Sequence, residues 1–450
     1  MSALINVEAE AEILGSLMAG FSNVDSVADL LRADDFHEPL HARIFSIILD
    51  QYAKGKSINP IAIKGFLDGD ETLDKLGGPA YLARLSSSAV GLSSAHTAEL
   101  VVDISHRRKM ANGLRMAAAS CDDLALPIAE IIAEADSAIS LRAGDMINQL
   151  SAAQCFDEMM RENASKDHGV RCGHIPSLDK LLGPMRPKQL IIGAGRPGMG
   201  KTALALSYAI GAAKNGHGVL YVSLEMSGAE LAARIASDMC FDGDVGVPFH
   251  AIRDWELTHS QRHAIMMARQ EIGNLPFEVI DVGSLTVGRL NMLVRRHARR
   301  MEANGHKLEL VIVDYLQLLS PDSKGRSNYE AVSEISRSLK AMAKDNGIAI
   351  FALAQLSREV EKRAGARPQL SDLRDSGQIE QDADAVLFLL RPEYYLRQAE
   401  PDPSSEKHTQ WMRLLEQSHN VMEFILAKRR NGETGNAEGI FNLFYQAVRG

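Results

Sequence analysis

Cysteines are few in this chain: there are four among 450 residues, and none forms a CxxC pair. Cys121, Cys155, Cys172 and Cys240 therefore predict neither a zinc site nor a disulfide framework. No apolar run reaches the roughly 18 residues that a membrane helix needs, so we expect no membrane span. The first residues also lack the basic and apolar regions of a signal peptide, and we expect a cytoplasmic location.

The chain has no excess of positive charge. Its 49 Lys and Arg residues against 58 Asp and Glu residues leave a net charge of −9. This balance argues against a surface that coats itself with nucleic acid. A protein that encloses a single strand, however, can use a few local donors and backbone amides while its outside stays acidic. Composition therefore leaves nucleic acid open as a partner.

Length and apolar spacing predict two domains. Apolar residues at three- and four-residue spacing predict an all-α domain over 1–143, with breaks at 59–60 and 77–79 and a helical hairpin over 95–141. Residues 144–169 are typical of a linker, because an amphipathic stretch at 150–162 precedes polar residues. Residues 170–450 form the second predicted domain.

Apolar runs rich in β-branched residues alternate with helical stretches in that second domain. They lie at 190–192, 219–224, 277–280, 310–314, 349–353 and 385–390. Such alternation predicts an α/β domain with a mostly parallel sheet flanked by helices. Ligands of these sheets bind at the carboxyl ends of the strands, where the candidate polar residues of this chain also lie.

One of these strand ends carries a complete phosphate-binding loop. Residues 195–202 read GRPGMGKT, between an apolar run and an Ala-rich helical stretch. Glycines allow backbone N–H groups to surround phosphate oxygens, the lysine reaches the β and γ phosphates, and the threonine hydroxyl binds Mg²⁺. The alternative is a Gly-rich turn that merely joins strand to helix. We predict an ATP site formed by Gly195, Arg196, Pro197, Gly198, Met199, Gly200, Lys201 and Thr202.

Three further strand ends supply polar side chains. Asp314 closes the run 310–314, as in a Walker B strand whose carboxylate holds Mg²⁺, or it caps a turn. Glu225 follows the strand at 219–224 and is our candidate for the base that activates water, with a helix-capping acid as the alternative. Gln355 would sense the γ-phosphate, or it is simply a polar strand end.

Two segments near the C-terminus suggest contacts beyond one subunit. Lys428 and Arg430 lie in a basic cluster that is usually only a solvated face. A guanidinium presented to a neighbour's phosphates would instead stabilise the transition state, which requires a ring or filament. Residues 371–384 suit a loop in which Arg374 and backbone N–H groups around Gly377 meet a nucleic-acid phosphate, or they form an ordinary acidic loop.

Taken together, these motifs resemble the DnaB family of bacterial replicative helicases. The resemblance rests on 195–202, 223–227, 313–317, 333–340, 355–358 and 372–384, and on softer matches at 8–10, 34–36 and 77–82. It implies a RecA-like motor domain that forms a hexameric ring around single-stranded DNA, binds Mg-ATP between subunits and moves 5′ to 3′ at the replication fork.

The resemblance also implies residue roles and partners. Arg234 would lie near the nucleotide base, and Arg374, Asp375 and Gly377 would line the DNA channel, although family members often carry Glu at position 375. The stretch 150–162 would dock on the adjacent motor domain, and the N-terminal domain would pair subunits and recruit primase. A helicase loader is a further implied partner, and forked DNA is the implied substrate.

Two departures and two alternatives accompany this resemblance. Residues 392–420 form a longer connection than usual, either a disordered insertion or a docking element, and the tail after 441–444 is short. A RecA-like recombinase or regulatory ATPase would share the phosphate loop and the Walker B strand. A non-catalytic scaffold is the third class, against which Lys201, Glu225 and Asp314 argue. The helical N-terminal half favours the helicase.

Overall fold

The chain divides into two compact units, Met1–Gln149 and Leu150–Gly450. The computed structural model describes residues 4–20, 24–28, 30–87, 94–140, 151–164, 169–321, 327–373 and 377–450. Within these ranges, no helix is both long and apolar enough to cross a membrane. The same ranges contain no group of three or more His, Cys, Asp or Glu side chains placed to hold a metal ion.

All regular secondary structure described in the first unit is helical. Its helices are Val7–Met18 (α1), Val24–Ala28 (α2), Pro39–Ala53 (α3), Pro60–Lys64 (α4), Glu71–Lys75 (α5), Pro79–Ser87 (α6), Ser94–Ser120 (α7) and Ile128–Ser140 (α8). Ile13 and Leu17 of α1 meet Phe45 and Ile48 of α3 in one core, and all four are fully buried. Each pair is three or four residues apart, so a single face of each helix is covered.

Turn chemistry determines where these helices begin. Helix α4 begins at Pro60, and the Asn59 side chain accepts the N–H of Ala62 at 2.9 Å. Helix α6 begins at Pro79, directly after two glycines. Proline suits a first helical position because the N–H that it lacks would be unpaired there. Both starts coincide with breaks in the sequence pattern.

Helices α7 and α8 form an antiparallel hairpin. Ser120 near the end of α7 donates to Glu134 of α8 at 2.9 Å, and Gly113 lies against Ala138 further along. The order of these contacts requires the two helices to run in opposite directions. Position 141, where the predicted hairpin ends, lies outside the described residues.

A buried carboxylate joins α1 to α3 in the first unit. Glu10 is 2% exposed and accepts from the backbone N–H groups of His37, at 2.6 Å, and Glu38, at 3.2 Å. Its second oxygen also lies 2.9 Å from Nδ1 of His41, whose Nε2 lies 2.7 Å from the Tyr81 hydroxyl. A buried charge is tolerated only when it is paired in this way.

The second unit is an α/β domain. Its helices are Ala152–Ala164 (α9), Pro176–Leu182 (α10), Lys201–Lys214 (α11), Gly228–Met239 (α12), Phe249–Arg253 (α13), His259–Ile272 (α14), Val287–Ala303 (α15), Asn328–Asn346 (α16), Gly377–Asp382 (α17), Pro392–Gln398 (α18) and Glu406–Gln417 (α19). Its strands are Leu190–Gly195 (β1), Gly218–Ser223 (β2), Phe277–Asp281 (β3), Leu285–Thr286 (β4), Leu308–Asp314 (β5), Leu319–Ser320 (β6), Ala349–Gln355 (β7), Ala385–Leu390 (β8), Val421–Arg429 (β9), Gly435–Asn442 (β10) and Ala447–Arg449 (β11).

One large sheet organises this unit, in the order β11-β10-β9-β8-β1-β7-β5-β2-β3. Neighbours from β8 to β3 are parallel, whereas β8 to β11 pair in antiparallel fashion. The six predicted strands are β1, β2, β3, β5, β7 and β8, and together they make up the parallel part. The predicted fold class is therefore confirmed: a helical N-terminal unit and a mostly parallel sheet flanked by helices.

Helices cover both faces of the sheet, so its central strands are apolar on both sides. Buried residues of α11 and α12 pack on one face, and buried residues of α15 and α16 pack on the other. Every residue of β1 and β8 is buried. Parallel strands buried in this way read as continuous apolar runs, which explains why the sequence pattern located them.

Residues 392–420 are folded. Helix α18 begins at Pro392, and the Trp411 indole of α19 donates to the Leu396 carbonyl at 2.7 Å. Glu393, 4% exposed, accepts from the backbone N–H of Asn420 at 3.0 Å and from Arg397. The alternative of a disordered insertion is therefore wrong, because buried polar contacts fix both ends of the segment.

We expect the Glu10 cluster to make the first unit sensitive to acid. Burial alone would raise the pKa of Glu10, but hydrogen bonds from His41, His37 and Glu38 outweigh it and hold the pKa below the ordinary value. Such a carboxylate stabilises the fold above its unfolded-state pKa, and this stabilisation is lost as the pH falls through the folded-state pKa. In Glu10→Gln we expect a loss of about 1–3 kcal/mol at pH 7, and a smaller difference from the unaltered protein towards pH 3.

Chemical denaturation at several pH values, followed by circular dichroism, measures this difference. The matched control is Glu8→Gln, an exposed carboxylate in the same helix, which should change stability by no more than about 0.5 kcal/mol. Equal losses in the two variants, or a loss in Glu10→Gln that does not depend on pH, would contradict the assignment.

Candidate nucleotide site

The phosphate loop connects β1 to α11 and needs its glycines. Gly198 and Gly200 have φ angles of 81° and 82°, a left-handed conformation that side chains rarely adopt. A Cβ at Gly200 would also lie 2.8 Å from the Met422 side chain. The loop is held from outside by Arg391, which donates to the Gly198 carbonyl at 2.9 Å. The loop backbone therefore has the shape that phosphate binding requires.

Lys201 and Thr202 open helix α11. The Lys201 ammonium donates to the Gly195 carbonyl at 2.9 Å and to the Arg196 carbonyl at 3.3 Å, so it lies over the loop. Burial lowers the pKa of Lys201, and the nearby carboxylates of Asp314 and Glu225 oppose that fall. A phosphate group would add negative charge at the point where the lysine and the helix N-terminus both favour it.

Asp314 lies directly beside the threonine. Its carboxylate accepts from Thr202 Oγ1 at 2.8 Å and from the Tyr221 hydroxyl at 2.7 Å. The carboxylate is therefore bound by these two hydroxyls, and it does not cap a turn as in the alternative interpretation. Burial raises the pKa of Asp314, although the hydrogen bonds from Tyr221 and Thr202 and the charge of Lys201 oppose the rise. A hydroxyl and a carboxylate oxygen side by side are ligands that Mg²⁺ prefers.

Glu225 lies just beyond β2 with its side chain exposed. The cap of the following helix α12 is Ser227, whose hydroxyl accepts the N–H of Glu230 at 3.3 Å. Glu225 is therefore not the capping residue of that helix. Its side chain lines the same pocket as Lys201, which leaves the carboxylate available to a water molecule there.

Gln355 is the last residue of β7 and also lines that pocket. Its backbone N–H and carbonyl are both paired with the Gln317 side chain, each at 3.2 Å. Gln317 thus fixes the main chain of Gln355 beside the pocket. The placement agrees with a phosphate sensor, and a polar strand end remains the alternative.

These strand ends enclose a pocket of about 370 Å³. Its lining comprises the phosphate loop, three strand ends and part of the C-terminal hairpin: Pro197, Gly198, Gly200, Lys201, Thr202, Ala203, Glu225, Arg234, Asp314, Tyr315, Gln355, Phe441, Leu443 and Gln446. Nine residues of the predicted site are in this lining. The sheet topology brings them together because β1, β7, β5 and β2 are neighbours with a common direction.

Three residues of the loop motif do not line the pocket. Met199 is 1% exposed and packs into the core. Gly195 ends β1, and its carbonyl is a Lys201 acceptor. The Arg196 side chain lies elsewhere, with its Nη1 donating to the Leu356 carbonyl at 3.0 Å. At positions 195 and 196 it is the main chain that faces Lys201.

Several residues in or beside the pocket, other than Arg234, carried no signal in the sequence. Phe441, Leu443 and Gln446 come from the C-terminal hairpin, which antiparallel pairing brings beside the pocket. Arg234 donates to the Gln446 side chain and lies 4.9 Å from the Phe249 ring centroid. Tyr221, fully buried within β2, gave no motif, because an aromatic residue in an apolar run predicts only core.

Lys428 and Arg430 lie at the opposite edge of the sheet, meaning the edge at which the parallel strands begin. Lys428 pairs with Val386 near the start of β8 and donates to the carbonyls of Glu380 and, at 2.9 Å, Ala383. Arg430 contacts Asp384 at 3.4 Å. The length of β1 separates this edge from the phosphate loop, roughly 17 Å for six residues.

Asp384 is the centre of that edge. It accepts from the Lys340 ammonium at 2.6 Å and from the Leu190 N–H at 2.8 Å, and it also contacts Arg430. Of the predicted DNA-binding residues, Gly377 is the exposed first residue of the short helix α17, whereas Arg374 and Asp375 lie outside the described residues.

Comparison with known protein families identifies both units. Residues 169–449 match the family model of the DnaB-like helicase C-terminal domain, and residues 2–103 match that of the DnaB-like helicase N-terminal domain. The replicative DNA helicase DnaB of Rickettsia felis is 33% identical over 96% of this chain and 90% of its own length. The protein of the same name from Geobacillus stearothermophilus is 31% identical over 97% of this chain and 92% of its own length.

Solved structures agree with these matches. A DnaB-like replicative helicase, described with its interactions with primase, superposes with a TM-score of 0.69 at 28% identity and 99% coverage of both chains. A second structure, described as an ATPase domain, gives a TM-score of 0.57 at 32% identity, over 67% of this chain and 99% of that domain. The chain therefore belongs to the DnaB-like family of replicative DNA helicases, and its enzymatic class is that of an ATP-dependent DNA helicase.

Proposed function

We propose that this chain forms a hexameric ring that couples Mg-ATP hydrolysis to 5′ to 3′ movement along single-stranded DNA and unwinds the duplex at the replication fork. The observation that carries the proposal is the separation of two half-sites. The phosphate loop, Glu225 and Asp314 share one edge of the sheet, while Lys428 and Arg430 lie at the other. A site divided in this way is completed when one subunit's cations meet the neighbour's nucleotide.

Within one subunit, Lys201 binds the β and γ phosphates and the backbone of Gly198 and Gly200 encloses them. Thr202 and Asp314 would hold Mg²⁺, which neutralises charge between the phosphates when bound. The distance of 2.8 Å between the two oxygens supports this assignment. Arg234 would lie near the base, because it shares the pocket wall with the C-terminal hairpin.

Hydrolysis needs a positioned water. Glu225 accepts a proton from this water as the water attacks the γ-phosphate. The Gln355 amide contacts the γ-phosphate, so its contacts change when that phosphate is released. Both residues line the pocket of Lys201, which supports these roles. Lys428 and Arg430 of the adjacent subunit stabilise the charge that develops in the transition state.

DNA binding is assigned to the segment before α17. Arg374 and the backbone near Asp375 and Gly377 would contact phosphates of the strand in the central channel. A few such contacts from each subunit suffice for a protein whose net charge is −9. The supporting feature is position: Gly377 begins the helix whose C-terminal carbonyls accept from Lys428.

The remaining partners follow from the family. We propose that the first unit pairs subunits into a collar and recruits primase, that α9 docks on the adjacent motor domain, and that a loader places the ring on DNA. A structure of a DnaB-like helicase described with primase interactions covers 99% of this chain, which supports a primase contact. The place of action would be the replication fork, in the cytoplasm at the nucleoid.

We expect strand displacement of a forked duplex to require a 5′ tail, ATP, Mg²⁺ and Lys201. Lys201→Ala should lower ATP hydrolysis at least about 100-fold, since it removes a charge aimed at the transferred phosphate. The matched control is Lys214→Ala at the far end of α11, where the lysine pairs with Glu271, and this variant should unwind normally. DNA-stimulated hydrolysis without unwinding on any substrate, with a loader supplied, would point to a recombinase-like ATPase.

We expect Arg430→Ala to bind nucleotide normally but to lose DNA-stimulated hydrolysis, because its partner phosphate belongs to another subunit. Mixing this variant with Lys201→Ala tests the arrangement directly. In random rings about a quarter of interfaces combine an intact Lys201 with an intact Arg430, so mixing should restore measurable hydrolysis. Normal turnover in Arg430→Ala alone, or no recovery on mixing, would contradict the role in trans.

A further inference from the structure

Arg196 belongs to the phosphate loop, but its side chain extends away from the nucleotide pocket. It is 8% exposed. Its Nη1 donates to the Leu356 carbonyl at 3.0 Å, and its Nε donates to the Glu361 carboxylate at 2.8 Å. Both partners lie in the segment that follows β7. A buried guanidinium with two directed hydrogen bonds holds a fixed geometry.

The main chain of the same residue faces the nucleotide side. The carbonyls of Gly195 and Arg196 accept from the Lys201 ammonium at 2.9 Å and 3.3 Å. A lysine that turns towards phosphate oxygens exchanges these acceptors for the ligand. Nucleotide binding therefore acts directly on the backbone from which the Arg196 side chain extends.

The segment that follows β7, which the Arg196 side chain contacts, folds back so that its two ends pair. Leu356 and Leu373 form an antiparallel bridge, and Ser357 N–H donates to the Asp372 carbonyl at 2.9 Å. Arg363 pairs with the Asp372 carboxylate. Val360, 1% exposed, anchors the middle of the segment in the core. These contacts connect the turn that carries Glu361 to Leu373, the residue before Arg374.

We propose that Arg196 and Glu361 form a positioning pair that couples nucleotide binding to DNA binding. The proposal rests on the proposed function, in which Arg374 and Gly377 contact the strand. This connection runs from the phosphate loop through the Arg196 side chain to Leu356 and Glu361, and it does not depend on the Gln355 side chain. Arg196 is therefore a positioning residue whose side chain contacts no phosphate.

The expected effect of losing this pair depends on the solvent exposure of its two side chains. The Glu361 side chain is 43% exposed, whereas that of Arg196 is 10% exposed. Solvent weakens the electrostatic interaction of a half-exposed pair. Loss of this pair should therefore reduce the coupling between nucleotide binding and DNA binding without abolishing it. We expect its loss to reduce coupling about fivefold, at the low end of measured couplings between sites.

The test compares Glu361→Gln with Glu359→Gln in the full-length protein. Glu359 lies in the same turn and pairs only with Lys362 among the contacts described, which makes it a matched control. Single-strand affinity is measured by fluorescence anisotropy of labelled oligothymidine, with and without a non-hydrolysable ATP analogue. In Glu361→Gln the ratio of the two affinities should fall about fivefold. Nucleotide affinity and basal hydrolysis should be retained, and Glu359→Gln should match the unaltered protein.

A second variant separates charge from shape. Glu361→Arg places a cation beside Arg196 and should lower the affinity ratio further than Glu361→Gln does. An unchanged ratio in both variants would overturn the coupling role and leave the helicase proposal intact. A parallel fall in basal hydrolysis would also overturn it, because the pair would then support the phosphate loop alone. If the unaltered protein shows no effect of nucleotide on DNA affinity, both proposals fail.

Discussion

The hydrogen bond between Thr202 and Asp314 is the constraint on which the site depends. It joins the first turn of α11 to the end of β5 at 2.8 Å. In the sheet, β7 lies between β1 and β5, so this bond spans the strand end that carries Gln355. The carboxyl ends of β1, β7 and β5 are thereby held next to one another. The chemistry of phosphate and metal binding requires such fixed positions, because binding energy is lost when ligands must first be ordered.

Much of the fold could be predicted because burial dictates sequence in a parallel sheet. The parallel strands β1, β2, β5, β7 and β8 are buried on both faces, so each forms a continuous apolar run, whereas the edge strand β3 is only partly buried. Asp314 stands out as a charged residue that ends one of the buried runs. The phosphate loop was equally clear, since its glycines are required by backbone geometry. In the antiparallel strand β10, buried or half-buried positions alternate with exposed ones, and β9 is only partly buried, so these strands gave weaker patterns. Their pairing, and with it the hairpin wall of the pocket, could not be derived from local spacing.

The limits of the sequence are most evident at Arg196 and in residues 392–420. A loop motif specifies where the main chain runs, whereas the direction of a variable side chain depends on what lies beside it, here Glu361 and Leu356. Similarly, the length of residues 392–420 left a disordered insertion open, yet the segment contains two helices that the contacts of Trp411 and Glu393 hold in place. In both regions the outcome depends on neighbours that are distant in the chain.

Asp384 gives the far edge of the sheet a property that a simple ion pair lacks. Its carboxylate is 12% exposed and is bound at 2.6 Å by Lys340, while Arg430 lies at the longer distance of 3.4 Å. If Arg430 moves away to meet another subunit, Lys340 and the Leu190 N–H still compensate the buried charge. Arg430 is the third partner of the Asp384 carboxylate. If its side chain left, the carboxylate would keep two hydrogen-bond donors. The Arg430 main chain stays tied to the same residue, because its N–H donates to the Asp384 carbonyl at 2.7 Å.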